Sequence, residues 1–329
     1  MVLERAARIA TRPLELRDLP DPVPGPGEIL VRIVACGVCR TDLHVIEGDL
    51  PPRRAPLVPG HQVVGRVEAC GAGAWRFVPG NRVGIAWLRG TCGSCAYCRG
   101  GRENLCAASR YTGWDDDGGY ASCAVVDEAF AYAIPDRFSD VEATPLLCAG
   151  IIGYRALRRS LVRPGQRLGL YGFGSSAHIV AQLARHRGCD VYVATRSASQ
   201  RRLAEGLGAQ WTGDTFDVPP VPLDGAIVFA PAGEVVPPAM RALGKGGTLA
   251  VAGIHMSDIP SMVYDPCLFQ EKTLTSVTSN TRDDGEELLR EAAEIPLRPR
   301  TTTFPLSEAN DVLLALANDG IRGTAVLVP

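Results

Sequence analysis

The chain carries eleven cysteines, and four of them stand together as C-x2-C-x2-C-x7-C: Cys92, Cys95, Cys98 and Cys106. Two-residue gaps let one tight loop turn several sulfurs onto a single centre, and Gly93, Gly100 and Gly101 supply the backbone freedom. Four thiolates around zinc make a closed tetrahedron, which stabilises a lobe and leaves no position for chemistry. C-x2-C-x2-C also opens an iron–sulfur motif, but the C-x3-C-P continuation is missing here. A disulfide framework expects a secreted chain, and Met1 to Arg8 contain no uninterrupted apolar run of the kind a secretion signal needs.

A second set is dispersed: Cys39, His61 and Cys148. Each alone reads equally well as a small buried thiol or a satisfied core histidine. Together, three donors with a vacant fourth place suit a catalytic zinc, for which Cys2His is a known set. With two zincs and six thiolates the added charge is −6 + 4 = −2, which takes the formal net charge of −2 to about −4.

These side chains need elements to hold them. From about residue 165 short apolar runs alternate with helical segments. Leu168 to Tyr171 reads as a buried strand, followed by Gly172-Phe173-Gly174-Ser175-Ser176-Ala177, a G-x-G-x-x-A turn. Ala177, Val180, Ala181 and Ala184 then recur at helical spacing. Further strands are expected at Asp190 to Thr195, Gly225 to Ala230 and Gly247 to Gly253, with a helix over Val236 to Leu243. This βαβ series predicts a parallel sheet covered by helices. In that context the glycine turn reads as a dinucleotide site: Gly172 for the turn, Gly174 for close approach of the pyrophosphate, and Ala177 for helix–strand packing. The helix N-terminus faces the phosphate charge. The second strand ends Thr195-Arg196-Ser197, with Arg201 one helical turn later and no carboxylate at that end. Hydroxyls and guanidinium groups suit a 2′-phosphate, so NADP(H) is expected over NAD(H).

Whole-chain composition is that of an ordinary globular protein. The 329 residues hold 34 basic and 36 acidic side chains, giving no basic footprint for nucleic acid and no acidic tail. A 46% hydrophobic, 21% charged chain is globular, and its length suits about two domains. No run approaches the ~18 apolar residues of a membrane helix, so the expected location is cytoplasmic.

The residues just quoted resemble the zinc-dependent medium-chain alcohol dehydrogenases, and the resemblance covers essentially the whole chain. Its most specific pieces are Cys39-Arg40-Thr41-Asp42-Leu43-His44, Gly60-His61, the four-cysteine lobe and Leu147-Cys148-Ala149-Gly150. Thr195-Arg196-Ser197 and Phe229-Ala230-Pro231-Ala232-Gly233 are similar to the bacterial NADP-type and cinnamyl-alcohol-dehydrogenase-like branch. The resemblance implies an α/β fold: a GroES-like, β-rich catalytic domain from residues 1–149 and 281–329, with the zinc lobe at about 88–110, and a Rossmann domain over 150–280. It places the active site between the domains. Pro20 to Gly27 reads as a surface connector, and Ser307 to Asn318 as an amphipathic helix capped by Ser307.

The family also implies roles. Cys39, His61 and Cys148 hold the catalytic zinc and Asp42 orients His61. Thr41 passes the alcohol proton towards His44. Arg40 and Arg322 meet the pyrophosphate, with ordinary surface charge as their alternative. One departure is Gln62, where the family usually has glutamate. The expected reaction transfers hydride between NADP(H) and a primary alcohol or aldehyde, medium-chain or aromatic, with Trp87, Leu88 and Trp114, beside Tyr111, around the substrate, Trp87 and Leu88 reading equally well as core. Three alternatives stand beside it: a polyol dehydrogenase, a same-fold reductase of C=C or C=N bonds, and a non-catalytic zinc- or nucleotide-binding protein. A homodimer or homotetramer is implied by the resemblance alone.

Overall fold

The computed structural model describes residues 1–329. Its contacts divide the chain into two compact units, one formed by 1–148, 279–293 and 298–329, the other by 149–278 and 294–297.

The first unit is built on a seven-stranded sheet, antiparallel except for the pair Thr301–Pro305 and Thr324–Val328. Its organiser is the strand Glu28–Val38, whose β-branched and aliphatic residues are almost all buried. This strand pairs with Gln62–Cys70, Cys123–Asp127 and Thr324–Val328. Register shifts after Leu30 and after Ile33 bend it. Such bulges increase local twist, which lets one strand serve different partners along its length. The strand's far end, Cys36 to Val38, leads directly to Cys39 and the helix Arg40–Glu47. A separate pair of short strands, Leu88–Gly90 and Arg110–Tyr111, closes the base of the four-cysteine lobe.

The second unit carries six parallel strands in the spatial order Trp211–Gly213, Asp190–Ala194, Arg167–Tyr171, Leu223–Val228, Leu243–Val251, Thr273–Ser276. In chain order this is 3-2-1-4-5-6, the doubly wound arrangement whose strand order reverses beside the first strand. Leu168, Leu170, Val191, Val193, Ile227 and Val228 are fully buried, as expected of strands covered on both faces. The helix Ser175–His186 turns Ala177, Val180, Ala181 and Ala184 inward, as their spacing requires.

Two expectations need adjustment. The C-terminal helix runs only Ala309–Ala317, and Ser307 does not cap it. Ser307 lies inside a 3-10 turn, Leu306–Glu308, that feeds straight into the helix, so Glu308 takes the cap position without a side-chain bond. The strand expected over Gly225 to Ala230 ends at Val228, because the N–H groups of Phe229 and Ala230 both turn onto the Tyr171 carbonyl. No helix is long and apolar enough to cross a membrane.

Candidate active site

The helix Arg40–Glu47 begins on a reciprocal cap. The Cys39 sulfur accepts from the Thr41 N–H at 3.3 Å, and Asp42 Oδ2 accepts from the Cys39 N–H at 2.8 Å. A thiolate therefore sits at a helix N-terminus, where exposed N–H groups favour negative charge. Asp42 has a second task. Its Oδ1 accepts the Nδ1–H of His61 at 2.8 Å, with both side chains almost fully buried. A carboxylate can only accept, so Nδ1 carries the proton and Nε2 is left to face Cys39 Sγ, 3.5 Å away.

His61 reaches this place because Gly60 precedes it with φ +95°, and a Cβ there would meet the Tyr120 ring at 2.4 Å. Only glycine fits. Cys148 closes a 3-10 turn, Thr144–Leu147, and its sulfur lies 3.9 Å from that of Cys39. The three donor atoms lie within 4.8 Å of one another. Two sulfurs on one tetrahedral zinc stand about 3.8 Å apart, and a sulfur and an imidazole nitrogen about 3.5 Å, from ordinary bond lengths. The observed separations fit a metal of that size without rearrangement.

Electrostatics agree with the donor chemistry. The hydrogen bond from the Cys148 thiol, with the charge on His61, holds Cys39 well below the ordinary thiol range. The same bond and burial push Cys148 well up. Burial opposes a charged His61, but Asp42 and Cys39 outweigh it and raise the ring to about 10. A cation placed among these groups takes over the role of that proton, so its binding releases protons.

Thr41 and His44 stand three residues apart on the same helix, hence on one face. His44 Nδ1 faces Asp49 Oδ2 at 2.9 Å. That partner is one the sequence reading missed. It lies five residues on, past the helix end at Gly48, whose φ of +87° turns the chain back. On the other side of His61 the Trp87 ring meets its edge at 5.1 Å. Trp87 is stacked with Tyr111 at 5.0 Å and with Trp114 at 5.8 Å. Leu88 is wholly enclosed in the core and offers no surface to a substrate.

The lobe gathers its four sulfurs within 4.8 Å of one another. Backbone N–H groups point at them: Cys95 at Cys92, Cys98 at Cys95, Cys92 and Ala108 at Cys106, all between 3.3 and 3.5 Å. Donors of this kind suit thiolates. Those from Ser94 and Cys95 pull Cys92 down to about 6, while burial pushes Cys98 up to about 11.

Two family models match this chain, the alcohol dehydrogenase GroES-like domain over residues 25–136 and the zinc-binding dehydrogenase domain over residues 177–294. The chain is 54% identical to "Probable alcohol dehydrogenase AdhA" of Mycobacterium tuberculosis, over 99% of this chain and 96% of that protein. An alcohol dehydrogenase of Geobacillus stearothermophilus is 36% identical over 95% of each. Among solved structures, a cinnamyl alcohol dehydrogenase of Sorghum bicolor superposes with a TM-score of 0.89 at 28% identity, covering 98% of this chain and 96% of the other. The chain belongs to the zinc-type medium-chain alcohol dehydrogenases.

In this alcohol dehydrogenase the glycine turn has the features a dinucleotide needs. Gly172 adopts φ +86°, and a Cβ there would press on the Ala230 backbone nitrogen at 2.9 Å. Gly174 is exposed, has open space where a Cβ would point, and precedes the helix Ser175–His186 without any side-chain cap. A helix N-terminus of this kind carries the positive end of the helix dipole. Thr195 is buried at the end of its strand, Arg196 is exposed, and the Ser197 and Ser199 hydroxyls stand 2.9 Å apart. Arg201 donates to the Thr195 carbonyl at 2.7 Å and to Asp214 at 3.2 Å. The end of the second strand carries no carboxylate, and Asp214 follows the third strand beside it. In the other unit Arg40 pairs with Asp319, and Arg322 is exposed. Gln62 is buried beside Gly37 in the neighbouring strand, and its Nε2 has no hydrogen-bond partner.

Proposed function

We propose that this alcohol dehydrogenase interconverts primary alcohols and aldehydes of flat, apolar or aromatic shape, using zinc and NADP(H). The single observation that carries the reading is the buried Cys39–His61–Cys148 triangle, flanked by Thr41 and His44 and by the Trp87–Tyr111–Trp114 stack. Cys39, His61 and Cys148 would hold a zinc ion that would supply Lewis acidity towards an alcohol oxygen, and a dinucleotide at the glycine turn would supply the hydride chemistry.

The chain's own residues do the rest. Cys39 and Cys148 contribute thiolate charge, and His61 contributes a nitrogen whose orientation Asp42 fixes. The Thr41 hydroxyl would accept the alcohol proton while passing its own on towards His44. His44, facing Asp49, hands it to solvent, and the reverse transfer serves aldehyde reduction. Stacked indoles restrict the site to planar or unbranched groups, and the sorghum relative's name, cinnamyl alcohol dehydrogenase, gives an aromatic precedent. Gly172, Gly174 and Ala177 would hold the pyrophosphate, with Thr195, Arg196, Ser197 and Arg201 around the adenosine ribose. Cys92, Cys95, Cys98 and Cys106 would hold the second, structural zinc. We take 150–280 as the dinucleotide domain and the remainder as the catalytic domain.

The reading extends to assembly and location. The edge strand Thr273–Ser276 has one neighbour, and Val263, Tyr264 and Phe269 are exposed in the segment leading to it, which supports a homodimer or homotetramer. Eleven cysteines with no disulfide suit the cytoplasm.

The test is the initial rate of cofactor oxidation with benzaldehyde, cinnamaldehyde and hexanal, using NADPH and NADH in parallel. Faster turnover with NADPH and with the aromatic aldehydes supports the reading; NADH alone overturns the cofactor assignment. Thr41→Ala should lower kcat by about 10²–10⁴-fold while both zincs stay bound, and unimpaired turnover would remove Thr41 from the proton path.

A further inference from the structure

The parallel sheet brings one carboxylate to the place where the cofactor's ribose is read. The strands Asp190–Ala194 and Trp211–Gly213 are paired so that Ala194 lies opposite Gly213, and the pairing runs on with the Thr195 N–H on the Gly213 carbonyl at 3.0 Å. Thr195 and Asp214 are thus adjacent strand-end residues, although nineteen positions separate them. Arg201, in the helix Ala198–Gly206, bridges the two: its Nη1 donates to the Thr195 carbonyl at 2.7 Å and to Asp214 Oδ2 at 3.2 Å. Asp214 is itself held in place. Its Oδ1 accepts the Thr215 N–H at 2.7 Å, and its own N–H donates to Asp217 Oδ2 at 2.6 Å.

Both bonds of Arg201 use the same nitrogen, so the Nε–Nη2 edge, the edge that grips an oxyanion in bidentate fashion, is not spent on Asp214. The arrangement has two opposed consequences. It fixes the guanidinium at the strand end, and it places a negative charge beside the position where a 2′-phosphate would arrive. Asp214 is half exposed and Arg201 about a quarter exposed. Their charges are therefore felt through solvent and scaled down, not cancelled. We propose that Asp214 sets the margin by which this enzyme prefers NADP(H) over NAD(H), acting as a brake on phosphate binding through Arg201. This rests on the NADP reading above and assigns the strength of that preference to a residue outside the glycine turn and the second strand.

The charge is separable from the anchor. Asp214→Asn keeps one oxygen that can accept from Arg201 and removes the negative charge, giving up only the acceptor now used by the Thr215 N–H. Calorimetric titration of the purified full-length protein with NADP+ and with NAD+ reads the effect directly, without turnover. Asp214→Asn is expected to tighten NADP+ by about threefold or more at low salt, to leave NAD+ unchanged, and to steepen the salt dependence of NADP+ binding. Arg201→Gln is expected to weaken NADP+ selectively. If the wild-type protein prefers NADP+ and Asp214→Asn binds it equally or less tightly, Asp214 is only an anchor and the inference fails while the cofactor reading stands. Should the wild-type protein bind both cofactors alike and Arg201→Gln change neither, the NADP reading fails and this inference falls with it.

Discussion

The two thiol clusters are built on opposite plans. Cys92 to Cys106 lie within fifteen residues, and one loop with a helix of four residues folds them together. Cys39, His61 and Cys148 span 110 residues, and each arrives at the end of a different element. The lobe offers four sulfurs, mostly accessible, surrounded by backbone N–H donors. The triangle offers three donors around a buried histidine tied to a buried carboxylate. A closed four-thiolate shell can only hold structure together, whereas three donors leave a place for a substrate oxygen. On the proposed reading, donor count and the surrounding groups, more than the presence of thiols, divide stability from chemistry within one unit.

The sharpest way to break this comparison is to remove one sulfur from each cluster. Cys39→Ser should lower kcat/KM by at least about 10³-fold, since Lewis-acid activation is lost, with a small change in Tm. Metal analysis should find one zinc per chain instead of two. Cys95→Ser should also lose one zinc, but its signature is reversed: a Tm lower by about 10 °C and rapid proteolysis between residues 88 and 110, with activity surviving in whatever fraction stays folded. If Cys39→Ser unfolded the protein and Cys95→Ser left Tm untouched, the division of labour would be the opposite of the one drawn here.

How much of this could be read from the sequence follows from the same contrast. The lobe was legible because its spacing is local: four cysteines at short gaps state their own geometry. The parallel sheet was legible because strands buried on both faces read as apolar runs, and the glycine turn stands between one of them and a periodic helix. The dispersed triangle was legible only through the contexts around Cys39, His61 and Cys148, which resemble a known family. Contacts made by folding alone stayed hidden. Asp49 beside His44 depends on the chain reversing at Gly48, and Asp214 beside Arg201 depends on which strand lies next to which. Leu88 and Trp87, which flank the lobe, read equally as pocket lining or as core, and burial, complete for Leu88 and nearly so for Trp87, could not be read from their types alone. Ser307 carries the chemistry of a cap, but the turn that contains it decides otherwise.

The smallest expected effect tests how the lobe is fastened to its own unit. Glu103, in the 3-10 turn Glu103–Leu105 of the lobe, accepts from Arg282 through the backbone N–H at 2.8 Å, Nε at 3.0 Å and Nη2 at 2.7 Å. Arg282 opens the helix Arg282–Glu294, so the carboxylate also meets a helix N-terminus. Burial by itself would raise the Glu103 carboxyl, but the bonds from Arg282 outweigh it and hold it below its ordinary value. A carboxyl whose pKa is depressed on folding stabilises the protein above its unfolded pKa, and that contribution disappears as pH falls through the folded value. Glu103→Gln keeps an acceptor and removes the charge. At pH 7 the variant should be less stable by about 1 kcal/mol, a discounted figure because Arg282 remains partly exposed, and this corresponds to a Tm lower by about 2–4 °C. The gap between wild type and variant should narrow as pH falls below the ordinary glutamate range and on through the lower folded-state value, where Glu103 loses its charge in the folded chain as well. Turnover of the folded enzyme should be unchanged, since Glu103 touches the lobe and not the triangle. A gap that stayed constant from pH 7 to pH 3 would mean that packing, and not the Glu103–Arg282 charge pair, secures the closed cluster.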